Sequence, residues 1–443
     1  MRDLMFAAAM LLLLPMAIKR PFNAYLLWGW TALLIPTSYV YGFMGSARLN
    51  LLAALLTLLL IAFGRVKWSD YQGNRVTAWY LLMLAHMAAC VALAFSGNPL
   101  NLQYFEWFAK AMLFCIVMPF FVKERWHFHA MFVVVAIGLG VHGILDGLKT
   151  IASAGSHNMF GPAGTMIADR NHLSVALALC LPILYYLYSH SARRWVAYGF
   201  LAAFGLLALA ILGGQSRGGF LALAAVALWL ILASRRRWST LMVVVLLGAS
   251  FYAFAPEQWG VRLATINEGT EDGSFLGRVI AWKISSAIAL QNPVFGGGIH
   301  AVQVQHVWDM FKTAPSLLDF LHLPIPDFSA KAAHSIYFEV LGDAGFVGLA
   351  IFLGILFQSI AARFAIKRMV KGLGSGYFWA RDMADALLLS IIAYMVGGAG
   401  VSLAYLEVIY VIIMLMELLR LHVLRASTHG PTQTHVVDKQ RTD

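Results

Sequence analysis

Residues 333–349 read AHSIYFEVLGDAGFVGL and mark the point where a long polar segment gives way to an apolar one. This stretch ends a mostly polar run, residues 256–333, in a chain that is otherwise strongly apolar. Loops this long without structure of their own are usually functional or disordered. Because this one contains Trp, Phe and an amphipathic helical pattern, we expect it to be ordered. The chemistry of the protein should then lie here and at the span ends that face it.

The rest of the chain has the composition of a membrane protein. Its 443 residues are 60% hydrophobic and 12% charged, with a mean hydropathy of +0.74, outside the range of soluble domains. Crossing a bilayer takes about 20 apolar residues. About 12–13 such segments predict an all-α polytopic membrane protein, and they lie at 4–18, 23–43, 49–64, 78–96, 105–122, 128–148, 172–190, 195–213, 218–234, 240–255, 343–362, 383–400 and 403–420. The first is interrupted by Pro15, and whether it crosses stays open.

The basic residues predict the orientation of the chain. Although the net charge is +11, the Lys and Arg residues do not form a nucleic-acid surface. They cluster in every second loop between spans, as cytoplasmic loops do, at 65–67, 123–125, 193–194, 235–237 and 363–371. This pattern places the C-terminus in the cytoplasm and the loops at 97–104, 150–171, 214–217 and 256–334 outside.

Four regions follow from these patterns. We predict an N-terminal transmembrane bundle at 1–255, an outer loop with amphipathic helices at 256–334, C-terminal spans at 335–426 and a disordered cytoplasmic tail at 427–443. In the outer loop, Ser274 can cap a helix that runs to about Gln291 and carries an apolar stripe. A second helix is expected between 307 and 322. Both should lie along the membrane interface with the apolar side facing lipid.

Three arginines are candidates for binding an anion at the outer face. Arg217 lies in a glycine-rich turn, Arg278 on the predicted loop helix and Arg170 at the start of a span, beside Asp169. A guanidinium binds phosphate through two parallel hydrogen bonds and keeps its charge. Together they would suit a diphosphate, although each could also be a headgroup anchor, and Arg170 could simply pair with Asp169.

His334 is the candidate acid–base residue. It stands where the outer loop re-enters the membrane, and an imidazole exchanges protons near neutral pH. Carboxylates inside spans are also functional candidates, namely Asp146, Asp385 and Glu407. His142 could pair with Asp146 four residues later on a helix.

A metal site is not expected. No Asp-x-Asp motif occurs in the chain, and Cys90, Cys115 and Cys180 lie in apolar spans without metal-type spacing. Arginines would then have to neutralise the charge of a bound phosphate.

Several short motifs carry a family resemblance over most of the chain. They are Asp169-Arg170-Asn171-His172-Leu173, Ser216-Arg217-Gly218-Gly219, Gly277-Arg278, Pro293 with Gly296-Gly297-Gly298, His334-Ser335-x-Tyr337 and Gly345-x-x-Gly348. In this order the chain resembles the O-antigen ligase and O-antigen polymerase superfamily of bacterial inner-membrane glycosyltransferases. Its N-terminal part is similar to exosortase-associated O-glycosylation ligases.

The resemblance implies a C-type glycosyltransferase fold and a metal-independent, inverting reaction without a cofactor. It implies that Arg217 and Arg278 bind the diphosphate of an undecaprenyl-diphosphate-linked glycan and that His334 assists the acceptor. Asp169, Arg170, Tyr337 and Asp146 are accessory candidates.

The resulting hypothesis is an O-antigen ligase that transfers a preassembled glycan to lipid A-core at the periplasmic face of the inner membrane. A polymerase would use a second lipid-linked glycan as acceptor, and a protein O-oligosaccharyltransferase would use a Ser or Tyr hydroxyl. His334 would either take the acceptor proton or hydrogen-bond the leaving diphosphate. A lipid-linked glycan transporter is the alternative from another class, and the lack of internal repeats argues against it. Membrane lipids are the other expected partners.

Overall fold

The structure is a computed structural model that describes residues 2–153, 155–233, 273–322 and 329–429, together with residues 238, 241, 242 and 245. Within these ranges the chain forms α-helices and short 3-10 turns and has no strand. The α-helices are α1 Arg2–Lys19, α2 Pro21–Leu34, α3 Leu49–Ala62, α4 Arg75–Ala92, α5 Asn101–Val117, α6 Arg125–Gly138, α7 Gly140–Ala152, α8 Arg170–His190, α9 Arg194–Gly213, α10 Arg217–Ala233, α11 Gly273–Gln291, α12 Gln305–Phe311, α13 Ile336–Leu373, α14 Phe378–Gly398 and α15 Glu407–His429.

Long apolar helices confirm the predicted class. Among the described residues, five segments are long and apolar enough to cross a membrane, namely Arg75–Ala92, Arg125–Ala152, Arg170–His190, Arg194–Gly213 and Ile336–Leu373. Leu49–Ala62 and Arg217–Leu232 are shorter apolar helices. The protein is therefore an all-α polytopic membrane protein. Most of the predicted span at 240–255, and the boundary predicted at residue 255, lie outside the described residues.

Contacts between loops show which loops lie together at each of the two ends of the bundle. At one end, which we call the His334 end, Asn98 donates to Ile299 O at 3.0 Å, and the amide of His334 donates to the Ser402 hydroxyl at 2.9 Å. At the other, the Lys123 end, Lys123 forms an ion pair with Asp70 at 2.8 Å. The predicted basic clusters at 65–67, 123–125, 193–194 and 363–371 all belong to the Lys123 end; the cluster at 235–237 lies outside the described residues.

The first segment is a continuous helix despite Pro15. The carboxylate of Asp3 accepts hydrogen bonds from the amides of Gly42 and Met44, each at 3.0 Å. These contacts bring the start of α1 to the loop that follows α2, at the His334 end. At its other end α1 meets the start of α2, where Lys19 precedes Pro21.

The interior of the bundle is built around α8. Nearly all of this helix is buried, and it packs against α9 on one side and α14 on the other. A buried hydrogen bond from the Ser390 hydroxyl to Leu179 O, 2.8 Å long, joins α8 to α14. The N-terminus of α8 is thereby held at the centre of the His334 end.

The helix predicted from Ser274 to about Gln291 is present as α11, but its environment was predicted wrongly. Its apolar stripe packs against protein rather than lipid: Ile280, Ile284 and Ile288 are each at most 1% exposed and form a core cluster with α12. On another face the Trp282 ring stacks on Phe338 of α13, with ring centroids 5.2 Å apart. In the described part of the outer loop, the apolar side of α11 is therefore buried against protein.

The second predicted loop helix is shorter than expected. Of residues 307–322 only 307–311 are α-helical, as part of α12, and a single 3-10 turn follows at Asp319–Leu321. The Ser316 amide and hydroxyl donate to the Asp319 carboxylate at 2.8 Å each, which favours a turn over a continuous helix.

A glycine turn is inserted at a break in α13. Gly345 interrupts this helix with φ +66° and ψ −169°. The amides of Gly297 and Gly298 donate to the oxygens of Gly342 and Asp343 at 2.9 and 3.0 Å, and thus bond carbonyls at the break. Gly296 has a φ of +62°, and a Cβ there would lie 2.6 Å from the Ala344 amide nitrogen. The turn at 296–298 therefore fixes the outer part of α13, which carries His334 at its entrance.

Candidate active site

His334 is held in a fixed backbone position at the entrance to α13. Its φ of +46° is in the left-handed region, which a non-glycine residue adopts only when its surroundings impose it. Its amide donates to the Ser402 hydroxyl, and the preceding carbonyl, Ala333 O, accepts from the Trp282 indole at 2.6 Å. The loop between α14 and α15 and helix α11 thus hold the histidine from two sides.

The imidazole of His334 is a neutral, partly buried group with one uncommitted nitrogen. Its Nδ1 is buried and has no hydrogen-bond partner within the part of the chain that the structure describes. Burial, followed by the positive charges of Arg278 and His172, lowers the pKa of His334 to about 4, against the opposing effect of Asp169 and Glu339. The ring is therefore uncharged at neutral pH and can accept a proton or a hydrogen bond.

Arg278 lies on the second turn of α11 and is half-buried. Lys331 packs over the neighbouring Gly277, where an added Cβ would lie 2.7 Å from the lysine Nζ. Lys331 was not among the predicted site residues, although its position three residues before His334 in the polar loop was a usable signal. The two cations flank the entrance of α13 and make this corner of the site positive.

The N-terminus of α8 forms another wall. Asp169 caps the helix by accepting from the Asn171 amide at 2.8 Å. Burial by itself would raise the pKa of Asp169, but the hydrogen bond from the Asn171 amide and the charge of His172 lower it, so that it remains a carboxylate. Arg170 is the first residue of the helix and is half-buried. His172 and Asp169 both influence the pKa of His334, so this wall faces the histidine.

Arg217 is the first residue of α10, and the N-terminus of this helix lies in the same region. Ser216 caps that helix by accepting from the Gly219 amide at 3.1 Å. A Cβ on Gly219 would lie 2.5 Å from Ser174 of α8, and one on Gly218 would lie 3.2 Å from Val401. Val401 precedes the Ser402 that bonds His334, so the N-terminus of α10 packs against the loop that holds the histidine.

Several positive helix termini therefore meet at one end. α8, α10 and α13 all begin at the His334 end, and the N-terminus of a helix carries partial positive charge from its dipole. With Arg217, Arg278 and Lys331 they provide what a polyanionic group such as a diphosphate requires. The three residues singled out in the sequence, two arginines and one histidine, are brought to the same end of the fold.

The accessory candidates Tyr337 and Asp146 have other contacts. The Tyr337 hydroxyl donates to Met395 O at 2.9 Å, which ties α13 to α14. Asp146 contacts His157 at 3.0 Å and Lys149 at 3.3 Å. The predicted pairing of His142 with Asp146 is wrong, because His142 lies 2.6 Å from the Tyr39 hydroxyl and 3.2 Å from Leu33 O.

Asp385 belongs to the opposite end of the bundle. Its carboxylate pairs with Arg363. A cavity of about 550 Å³ between α8, α9, α10 and α14 includes Asp385, Asp382 and His190 in its lining. It contains none of the residues gathered around His334, so we do not assign it to the candidate active site.

A buried polar cluster, which no sequence motif indicated, lies behind the site. His300, Glu339 and Asp343 offer three ligand atoms within 4.8 Å of one another, the only such group among the described residues. Glu339 accepts from the Ala404 amide at 2.9 Å, and Asp343 accepts from the Tyr405 hydroxyl at 3.0 Å. The cluster thus joins the 296–301 turn, α13 and the 399–406 loop.

Charge argues for an ion-pair network in this cluster. Burial by itself would lower the pKa of His300, but its contact with Glu339, 3.2 Å away, and the charge of Asp343 raise it. The contact between His300 and Glu339 and the hydrogen bonds to Ala404 and Tyr405 therefore tie three separate segments together behind the site.

Two models of known protein families match parts of the chain. Residues 202–353 match a family model described as O-antigen ligase, a range that contains Arg217, Arg278 and His334. Residues 1–192 match a family of unknown function (DUF5935), which leaves the similarity to exosortase-associated ligases a prediction. No curated protein matches the chain in sequence. Residues 202–353 therefore carry an O-antigen ligase domain, which supports the O-antigen ligase and polymerase superfamily for this chain.

Proposed function

We propose that this protein is an O-antigen ligase that transfers a preassembled glycan from undecaprenyl diphosphate to lipid A-core. The observation that carries the proposal is the meeting of Arg278, the α8 N-terminus and the uncommitted Nδ1 of His334 at one end of the bundle. This arrangement places a cationic surface beside a neutral base. The match to the O-antigen ligase family supplies the reaction class.

The reaction follows from these roles. Arg217 and Arg278 hold the donor diphosphate and stabilise the negative charge that develops as the bond between the anomeric carbon and the phosphate oxygen breaks. An acceptor hydroxyl attacks the anomeric carbon from the opposite face, and His334 takes its proton. A new glycosidic bond forms with inverted configuration, and undecaprenyl diphosphate leaves.

The low pKa of His334 suits a base that becomes stronger when the donor binds. In the free protein, burial and Arg278 hold the pKa near 4, so the ring is neutral but weakly basic. A bound diphosphate would offset the charge of Arg278 and place negative charge near the ring. Both effects raise the pKa of His334 and strengthen the base when the donor is in place.

We infer that the His334 end faces the periplasm, because the basic clusters lie at the Lys123 end. Thiol labelling tests this orientation. The native cysteines are all buried, so a cysteine placed at exposed Ser156, in the 153–169 loop, should react with a membrane-impermeant reagent in spheroplasts. A cysteine at exposed Ser375, at the Lys123 end, should react only after lysis. The reverse pattern would remove the site from the compartment that holds the acceptor.

Deletion of the gene separates the related functions. Lipopolysaccharide gels should show core without O-antigen, while the polymer persists on the carrier lipid. Core bearing a single repeat unit would identify a polymerase instead. Unchanged lipopolysaccharide with loss of a glycosylated protein would identify a protein O-oligosaccharyltransferase. Complementation with His334→Ala, produced at wild-type level, should fail to restore O-antigen on the core.

A further inference from the structure

Two adjoining cavities at the His334 end remain without a role. One, of about 280 Å³, lies between α2, α5 and α15; the other, of about 530 Å³, lies between α2, α3 and α5. They share five lining residues, Trp28, Ala32, Ile35, Asn50 and Lys110, and so form one continuous recess. We call the smaller the inner pocket and the larger the acyl groove.

The inner pocket has the composition of a sugar site. Its lining includes two indoles, Trp28 and Trp107, together with the amide of Asn50, the hydroxyl of Thr165 and the carboxylate of Glu407. Carboxylate and amide groups bond sugar hydroxyls, and an indole offers a flat apolar surface with one polar handle. A few polar groups on apolar walls are typical of a specific small-molecule site.

The acyl groove has the composition of a lipid site. Its walls include Leu51, Leu55 and Leu58 of α3 and Leu113 of α5. At the His334 end its lining includes Arg48, which is exposed and precedes α3. Lys110, shared with the inner pocket, pairs with Glu106 at 3.1 Å in a solvent-exposed contact that an incoming phosphate can replace. An aliphatic trough with Arg48 at its His334 end and Lys110 further along its wall fits a phosphorylated acyl lipid.

The recess adjoins the candidate active site. Met166 lines the inner pocket, and its carbonyl accepts from the His172 ring at 2.9 Å. His172 in turn contributes to the low pKa of His334. Glu407 begins α15 directly after the 399–406 loop, whose Ser402 bonds the His334 amide. Neither cavity is lined by Arg217 or Arg278, so a lipid held here does not compete with a donor diphosphate held there.

We propose that this recess binds the acceptor as a phosphorylated glycolipid, with a sugar in the inner pocket and an acyl chain in the groove. The proposal rests on the glycosyl transfer proposed above and adds the location of the acceptor site. A protein hydroxyl acceptor needs no aliphatic trough, so the recess favours a lipid-anchored carbohydrate. Arg48 and Lys110 select an anionic headgroup.

The test uses a matched pair of groove variants in the full-length protein, reconstituted in liposomes. Leu55→Trp fills the groove from α3, where Leu55 is 46% exposed. Leu59→Trp adds the same bulk one turn along the helix at a position that is 49% exposed and lines neither cavity. With lipid A-core from a strain lacking this protein as acceptor, we expect Leu55→Trp to raise the acceptor KM on the order of tenfold or more. Its donor KM and the behaviour of Leu59→Trp should match wild type.

Binding without turnover provides a second readout. Native mass spectrometry of the wild type without donor should detect bound lipid A-core that excess phosphatidylglycerol does not displace. Leu55→Trp and Glu407→Gln should reduce this signal. The result is independent of activity, so it separates the recess from the proposed reaction.

Each other outcome overturns the recess as the acceptor site. An unchanged acceptor KM in Leu55→Trp, with wild-type transfer intact, refutes the recess and leaves the ligase proposal standing. Equal effects of Leu55→Trp and Leu59→Trp indicate bulk lipid contact only. A rise in the donor KM assigns the groove to the polyprenyl chain. Absence of transfer by the wild type, with glycolipid binding retained, refutes the proposed function and not the site.

Discussion

The proposed role of His334 as the base predicts that glycosyl transfer by this protein tolerates mild acid. Its pKa lies near 4 rather than at the usual 6.5. At pH 5.5 a base with a pKa of 4 is about 97% neutral, whereas one with a pKa of 6.5 is about 9% neutral. We therefore expect kcat/KM for the donor at pH 5.5 to stay close to its value at pH 7. An ordinary histidine would lose roughly tenfold over the same interval.

The assay is initial rate at donor concentrations far below KM, in liposomes with saturating acceptor. Under these conditions kcat/KM reports ionisations of the acceptor-bound protein and the free donor. A diphosphate esterified at both ends does not titrate in this range, so the profile belongs to the protein. Arg278→Gln removes a cation that lowers the pKa of His334, so its acid limb should move to higher pH. Arg170→Gln, which removes a cation that is not a cause of the shift, should leave the limb in place.

Three results would refute this reasoning. An acid limb near pH 6.5 in the wild type would mean that His334 is not buried beside Arg278 in the working protein. A rate that rises as the pH falls would show that the imidazolium is the active form and ligates the leaving diphosphate. Wild-type activity in His334→Ala would place the base elsewhere.

The remaining predictions concern the arginines, metal and the glycine turn. Arg217→Ala and Arg278→Ala should each lower the transfer rate on the order of 10²-fold. The corresponding Arg→Lys variants should recover only part of the lost rate, because lysine lacks the planar fork of the guanidinium. Full activity in the alanine variants would contradict the diphosphate role. Transfer by the purified protein should persist in excess chelator. If chelator abolishes transfer and magnesium restores it, the carboxylates beside His300 become the candidate metal site. Gly296→Ala should lower the thermal unfolding temperature, since left-handed backbone costs a side-chain residue about 1–2 kcal/mol and the new Cβ would meet the Ala344 amide nitrogen at 2.6 Å. Gly372→Ala, with open space around the added Cβ, is the control, and equal melting of the two variants would argue against the inserted turn.

Local sequence was enough to single out Arg217 and His334 as candidate site residues. Arginine in a glycine-rich turn between apolar spans, and histidine where a polar loop meets an apolar helix, are unusual in their immediate surroundings. In the structure both residues lie at the start of a helix: Arg217 begins α10, and His334 immediately precedes Ser335, the N-cap residue of α13. The environment of α11 could not be predicted from local sequence, because an amphipathic stripe has the same pattern whether it faces lipid or protein.

The sequence by itself determined the class of the protein, the positions of its apolar helices and three candidate site residues, because hydropathy, charge distribution and glycine context are local properties. The tertiary structure decided which distant segments meet. The Ser402 hydroxyl that holds His334 is 68 residues away in the chain, and the glycine turn at 296–298 bonds the break in α13 more than 40 residues later. The cluster of His300 with Glu339 and the recess lined by Trp28, Trp107 and Glu407 are likewise products of packing. Contacts of this kind depend on how helices associate in three dimensions, and no local pattern in the sequence encodes them.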